Sequence, residues 1–177
     1  GVTSAPGPVK PFDGCSIDFF WRCSKYFPTL PSFRRIVPVK VITDERCTGY
    51  RRVGHPERPE RISRTLEKLR RQTDLAITWA EPLAAVDDRI ILRAHTREHL
   101  DRVKAGAEDF DGDTPAHPHI FDHARRSIGG ALQALAAARQ GEMAFSLLRP
   151  PGHHATSEHA MGFCYLNNIA IAVLEAI

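Results

Sequence analysis

The sequence lacks the features that mark membrane and secreted proteins. No run approaches about 18 apolar residues, the length that a membrane-spanning helix needs, and the chain does not open with a basic stretch followed by an apolar one. Its four cysteines are scattered, with no Cys-x-x-Cys pair, which argues against a disulfide framework or a zinc ribbon. These absences predict a cytoplasmic protein with no membrane segment and no secretory signal.

The sequence also lacks an excess of basic residues in the region that is expected to fold. The formal net charge is +3, but residues 1–36 hold five Lys or Arg and two Asp or Glu, whereas residues 37–177 hold nineteen of each sign. A nucleic-acid-binding protein carries its positive charge on a folded surface. Nucleic-acid binding is therefore disfavoured.

Residues 1–36 differ in character from the rest of the chain. They contain five prolines and show neither a helical nor a strand period, so we leave them unassigned. One hypothesis is that they are not native coding sequence and that Val37 is encoded by an alternative start codon. Residues 37–177 are predicted to form the folded domain.

Strand-like and helix-like segments alternate from residue 37 onward. Strands are predicted at 37–42, 75–79 and 143–148, and helices at 59–72, 88–93, 96–105, 121–139 and 167–177. The third strand is apolar throughout, which predicts burial on both faces. The last helix is apolar nearly all round, which also predicts burial. Gly129-Gly130 predicts close packing of the helix that contains it. This alternation predicts an α/β domain with a parallel sheet, whose ligand sites lie at the carboxyl ends of strands.

The most informative stretch follows the third predicted strand and reads RPPGHHATSEHAMGFCYLNN, residues 149–168. Pro-Pro-Gly stiffens the backbone and then turns it sharply. Two adjacent imidazoles have a high cost of burial unless they are hydrogen-bonded. The pattern predicts a rigid loop that directs His153 and His154 into a ligand site.

RPPGHHA followed by GFCYLNN resembles the histone deacetylase superfamily, which includes zinc-dependent deacetylases, acetylpolyamine amidohydrolases and acetoin-utilisation-type proteins. GHPERPERI, AHTREHLDRV and FDGDT precede these motifs in the family's order, so the resemblance covers roughly residues 38–177. It implies an arginase-deacetylase-like three-layer fold around a central parallel sheet. It also implies zinc-dependent hydrolysis of an acetylated amine to the free amine and acetate.

The resemblance assigns roles within the motif. His154 corresponds to the general base and acid, and His153 to the histidine that supports it and hydrogen-bonds the attacking water. Phe163 corresponds to the aromatic wall of a narrow substrate tunnel, and Gly162 lies beside it against the substrate. Cys164 corresponds to a position in the floor of the site, and as a residue type it is more often a small buried hydrophobe than a nucleophile.

Two further assignments come from upstream motifs. Arg61 resembles the arginine that lines a cavity for released acetate, and its alternative is an ordinary ion pair on a helix. Asp111 resembles a rim aspartate that hydrogen-bonds the substrate backbone, although the alignment can shift to Asp113. His119 and His123 have the i, i+4 spacing of a helical metal site, but no His-Glu-x-x-His context supports that use.

The resemblance implies zinc held by two aspartates and one histidine, in family segments that would follow residue 177. No metal ligand is therefore assigned among these residues. The sequence is expected to be the N-terminal part of a deacetylase domain, truncated at its C-terminus and inactive by itself. The expected partner is an acetylated small molecule or an acetyl-lysine protein, with no nucleic acid and no membrane, and oligomer formation is left open.

Two alternative functions remain at this stage. A hydrolase that uses Cys164 as its nucleophile with a histidine would be sensitive to thiol alkylation and insensitive to chelators. A non-catalytic binding module would keep the acyl-lysine tunnel without a metal.

Overall fold

Three parallel strands form the sheet of the computed structural model, which describes residues 37–177. They are β1 Val39–Ile42, β2 Ile77–Ala80 and β3 Met143–Ser146. The order is β2–β1–β3, and Val41 of β1 lies opposite Trp79 and Phe145. All carboxyl ends therefore meet at one edge, and the predicted α/β class with a parallel sheet is confirmed.

Helices follow each strand of the described residues. They are α1 Glu60–Arg71, α2 Asp88–Ile91, α3 Arg97–Ala105, α4 Ile120–Arg139 and α5 Asn168–Ala176, with a short 3-10 turn at Glu45–Thr48. Side-chain caps define two of the starts: Thr96 accepts a hydrogen bond from the His99 N–H at the start of α3, and Asn167 accepts one from the Ala170 N–H at the start of α5.

Helices α1 and α4 cover opposite faces of the sheet. Ile62 and Leu66 of α1 pack in one core cluster with Val41. Val41 pairs with Phe145 of β3, whereas α4 lies against the next residue, Ser146. Successive side chains of a strand point to opposite faces, so α4 is on the face opposite α1. The result is a helix–sheet–helix arrangement in three layers.

The pair Gly129-Gly130 allows α4 to lie close to its neighbours, as its sequence predicts. A Cβ atom on Gly129 would stand 2.6 Å from the backbone oxygen of Leu83, and one on Gly130 would stand 2.3 Å from a methyl carbon of Leu148. No real side chain fits at these distances. Helix α4 also packs against α3 and α5, where Ile128, Leu100 and Ile171 belong to the larger core cluster.

Two burial predictions are wrong for the described residues. In β3, Met143 and Phe145 are 53% and 54% exposed, and in α5, Ile169 and Val173 are 56% and 55% exposed. The cause is position: β3 is an edge strand of the described sheet. Helix α5 rests on α4 with one side, which contains the fully buried Ile171.

Two sequence predictions concern regions or features beyond this fold. The unassigned segment 1–36 lies outside the described residues, so its boundary at residue 37 and its origin stay predictions. Within residues 37–177, no helix has both the length and the apolar character needed to cross a membrane.

Candidate active site

The adjacent histidines lie on the loop that leaves the carboxyl end of β3, the location predicted for a ligand site. Both His153 and His154 are exposed. Their ring centroids are 4.1 Å apart, with the ring planes at 49°. Neither ring is buried in the core, so both are accessible to a ligand.

Arg149 anchors the start of this loop from inside the protein. Its side chain is 2% exposed, and Nε and Nη2 donate to the two carboxylate oxygens of Glu57 at 2.7 and 2.6 Å. Nη1 donates to the carbonyl oxygens of Cys47 and Tyr50 at 3.0 and 3.2 Å, and the guanidinium carbon lies 3.9 Å from the centre of the Tyr50 ring. Burial alone would lower the pKa of Arg149, but the hydrogen bonds to Glu57, together with the charges of Glu57, Tyr50 and Cys47, outweigh burial and raise it.

Helices α4 and α5 fix the next part of the loop. The Ser127 hydroxyl donates to the Pro150 carbonyl at 2.8 Å and accepts from the Asn168 side-chain amide at 2.9 Å. Gly152 lies so near α5 that a Cβ atom there would stand 2.3 Å from Oδ1 of Asn168. These contacts fix the backbone of the loop immediately before His153 and His154.

A tight turn brings residues 161–164 against His154. The backbone groups of Met161 and Cys164 exchange two hydrogen bonds of 3.0 Å. Between them, Gly162 and Phe163 have positive φ angles of 58° and 69°, the geometry of a type I′ turn. A Cβ atom on Gly162 would stand 2.9 Å from the His154 ring, so only glycine lets the turn approach this closely.

Phe163 is held by two other loops. Its backbone N–H donates to Oγ1 of Thr114 at 3.1 Å. Its ring meets the ring of His55 edge-on, with centroids 5.0 Å apart and planes at 78°. The structure thus packs Gly162 against His154, and Phe163 follows Gly162 in the same turn.

Asp111 lies at the exposed tip of the loop that provides Thr114. It pairs with Thr114 in an isolated antiparallel bridge, and its Oδ1 accepts from the Asp113 N–H at 3.1 Å. Burial would raise the pKa of Asp111, but hydrogen bonds from Thr114 and Asp113 outweigh it and lower the pKa. A charged carboxylate at a loop tip fits a rim position, which stays a prediction.

Cys164 is fully buried, and its Sγ donates to the Gly162 carbonyl at 3.3 Å. Burial raises the pKa of this thiol, although backbone N–H groups of His154 and Ala155 act in the opposite direction. A nucleophilic cysteine needs an accessible thiolate. The environment of Cys164 therefore favours the role of a small apolar residue under the site.

Arg61 both forms an ion pair and lines a cavity, the two roles that its sequence context allows. Its side chain is 52% exposed, and Nη1 lies 3.6 Å from Oε1 of Glu57, which is four residues earlier in the chain. The same residue lines a cavity of about 210 Å³ together with Glu57, Arg149 and Pro151. The cavity reaches the loop that carries the histidines. The role of Arg61 in handling acetate stays a prediction.

Residues 55–177 match the histone deacetylase domain. The chain belongs to the histone deacetylase family. It is 40% identical over 130 residues to a protein of Archaeoglobus fulgidus named probable deacetylase, and 39% identical over 132 residues to a histone deacetylase-like amidohydrolase of Pseudomonas aeruginosa. These alignments cover 67% and 70% of this chain and 35% and 34% of the relatives.

A solved structure agrees with the deacetylase family assignment. The crystal structure of the HDA15 HD domain superposes with a TM-score of 0.68 at 30% sequence identity, covering 79% of this chain and 43% of that one. The chain thus spans about a third of the length of the two curated relatives. Its sheet and helices correspond to the part of the deacetylase fold that it matches.

The resemblance to deacetylases implies a zinc ion, but residues 37–177 contain no group of side chains that could bind it. There, no three His, Cys, Asp or Glu side chains come together as a metal site requires. His119 and His123 do not form one either, because His119 is exposed whereas the His123 ring packs 4.9 Å from the Tyr50 ring.

The buried pair of Arg149 and Glu57 is the part of the site that the sequence did not reveal. The two residues are 92 positions apart, and each is charged, a class normally assigned to the surface. One signal was present: both lie inside the two motifs that carry the family resemblance. A charged residue flanked by Pro-Pro-Gly at the end of an apolar strand is a candidate for a buried partner.

Proposed function

We propose that this chain supplies the proton-transfer and tunnel residues of a zinc-dependent deacylase that hydrolyses an acetylated amine. The observation that carries the proposal is the contact between His154 and the Gly162–Phe163 turn. The His154 ring lies against the backbone turn that carries Phe163, on the loop that follows the carboxyl end of a parallel strand, where ligand sites of such sheets lie. Membership of a family whose members are named deacetylases and amidohydrolases supports the reaction class.

In this proposal His154 acts as general base and then as general acid. Its free imidazole nitrogen takes a proton from the attacking water, whose oxygen bonds to the amide carbon. The carbon–nitrogen bond then breaks, and His154 returns the proton to the amine nitrogen, giving acetate and free amine. Such groups typically contribute about 100- to 10,000-fold to a rate. His153 hydrogen-bonds the water and stabilises the charge on its neighbour.

The proposal assigns zinc, with two aspartates and one histidine as ligands, to segments other than residues 37–177. The metal would polarise the amide carbonyl. Phe163 then forms the wall along the methylene chain of the substrate, Asp111 holds the rim end of the substrate, and Arg61 faces the acetate. The substrate class is an acetyl-lysine protein or an acetylated polyamine.

The test is an assay of the full-length gene product and of this 177-residue chain, side by side. An acetyl-lysine peptide and an acetylated polyamine serve as substrates, each with and without a chelator. We expect chelator-sensitive hydrolysis by the full-length product. We expect neither turnover nor tight zinc binding by the 177-residue chain, and zinc-dependent turnover by that chain would contradict the proposal.

The same assay separates the alternatives. A non-catalytic module would bind the acetyl-lysine peptide in a fluorescence titration and release no acetate. A cysteine hydrolase would lose activity with iodoacetamide and keep it with the chelator. The burial of Cys164 and its raised pKa disfavour the cysteine hydrolase.

A further inference from the structure

Phe163 has a backbone conformation that its side chain does not favour. Its φ of 69° lies in the left-handed region, where bulky residues are uncommon because Cβ approaches the following carbonyl oxygen. A residue persists there only when its surroundings fix it. The contacts of Phe163 should therefore reveal what holds it.

Thr114 holds the backbone of Phe163. Its side chain is fully buried, and Oγ1 accepts the hydrogen bond from the Phe163 N–H at 3.1 Å. Thr114 is itself fixed, because its carbonyl accepts from the Phe110 N–H at 3.0 Å. The hydroxyl is thus a stationary acceptor at the position where the left-handed residue needs one.

His55 holds the ring of Phe163. In the neutral form with the proton on Nε2, His55 donates to the Asp113 carbonyl at 3.1 Å, and Nδ1 accepts from the Glu57 N–H at 3.1 Å. Both ring nitrogens are therefore hydrogen-bonded, and they hold the ring in its edge contact with Phe163 at 5.0 Å.

We infer that Thr114 and His55 are positioning residues that fix the backbone and the ring of Phe163, and so determine how tightly the acylated amine chain is bound. The inference rests on the proposed function, in which Phe163 is a tunnel wall. Neither residue touches the reacting atoms. Their effect should appear in substrate binding and should leave the proton transfers of His154 unchanged.

The first test replaces Thr114 in the full-length gene product. Thr114→Val keeps the shape and removes the acceptor, and we expect KM for an acetyl-lysine peptide to rise about tenfold, the equivalent of one lost hydrogen bond, with kcat changed by less than about twofold. Thr114→Ser restores the acceptor and should restore KM. Thr43→Val is the matched control, because it removes a comparable hydrogen bond of 2.9 Å to the Leu147 carbonyl, away from Phe163.

The second test addresses the ring contact. His55→Asn keeps an acceptor within reach of the Glu57 N–H but has no ring against Phe163, so KM should again rise with little change in kcat. In a Phe163→Ala background, neither Thr114→Val nor His55→Asn should raise KM further, because coupled residues are non-additive. Circular dichroism checks that each variant folds, and His55→Asn decides the question if Thr114→Val does not fold.

The outcomes separate this inference from the function on which it rests. If Phe163→Ala raises KM but Thr114→Val and His55→Asn leave KM within about twofold of wild type, the inference is overturned and the tunnel wall stands. If Phe163→Ala leaves KM unchanged, both the tunnel wall and this inference are overturned. A fall in kcat with unchanged KM in Thr114→Val would also overturn it.

Discussion

At the scale of single residues, the two adjacent histidines are not equivalent. The turn at Gly162 packs against the ring of His154, so His154 is the histidine next to the turn that carries Phe163. We predict that His154→Ala in the full-length product lowers kcat by about 100- to 10,000-fold, because it removes the group that carries the proton. The loss for His153→Ala should be smaller, since His154 remains.

His159→Ala is the matched control for this prediction, because His159 is an exposed histidine of the same loop and has no assigned role. Its activity should stay near that of wild type. Initial rates with an acetyl-lysine peptide measure all three variants. Retention of more than about half of the wild-type activity by His154→Ala would contradict its role as the proton-transfer group.

Sequence reasoning located the residues that lie close together in one motif and missed the contacts that join distant ones. His153, His154 and Phe163 could be singled out because the chain keeps them within a short loop. The packing of His55 on Phe163 could not, because it joins separate loops whose approach is determined by the sheet and the core. The residues were visible in their motifs, but their partners were not.

At the scale of elements, helix α4 depends on two glycines for its close approach to neighbouring segments, Gly129 toward the loop after β2 and Gly130 toward the end of β3. A methyl group on Gly129 would stand 2.6 Å from the backbone oxygen of Leu83, an atom that cannot move aside as a side chain can. We predict that Gly129→Ala destabilises the protein by about 1–3 kcal/mol, the usual range for overpacking, although alanine favours a helix more than glycine does.

Chemical denaturation followed by circular dichroism checks this value. Gly112→Ala is the control, because a Cβ atom there meets nothing within 4 Å and should change stability little. An increase in stability for Gly129→Ala would show that the helix can move away from Leu83 at low cost.

The same elements show how far a sequence pattern reaches. Spacing predicted helix α4 as 121–139 and the structure has Ile120–Arg139, because twenty residues contain enough turns for the apolar face to be clear. Burial of β3 was predicted wrongly, because an apolar run indicates a preference for burial but does not say whether a neighbour covers it. Phe145 is exposed for that reason.

At the scale of the whole molecule, buried histidines make stability depend on pH. Burial, followed by the charge of His99, lowers the pKa of His95 to about 4. Burial, followed by the charges of Arg126 and Arg149, lowers the pKa of His123 to about 4. His95 accepts a hydrogen bond of 2.8 Å from the Asn167 N–H through Nε2, which requires that nitrogen to be unprotonated.

The direction of the effect follows from these pKa values. An unfolded histidine titrates near pH 6.5, so between pH 6.5 and about 4 the unfolded chain binds more protons than the folded one. Stability therefore rises with pH in this window and is lost as the pH falls through it. Carboxylates with lowered pKa values, such as Asp44, act only at lower pH, near their unfolded value of about 3.9.

We predict that the denaturant concentration at the unfolding midpoint of the 177-residue chain decreases when the pH is lowered from 7 to 5, and that His123→Phe makes this decrease smaller. Phenylalanine keeps a ring beside Tyr50, where the centroid of His123 lies at 4.9 Å, but it binds no proton. His119→Gln is the matched control: His119 is exposed at the start of the same helix and should leave the pH dependence unchanged. An equal fall in wild type and His123→Phe would mean that the unfolded chain and the folded one protonate His123 alike, contrary to its burial.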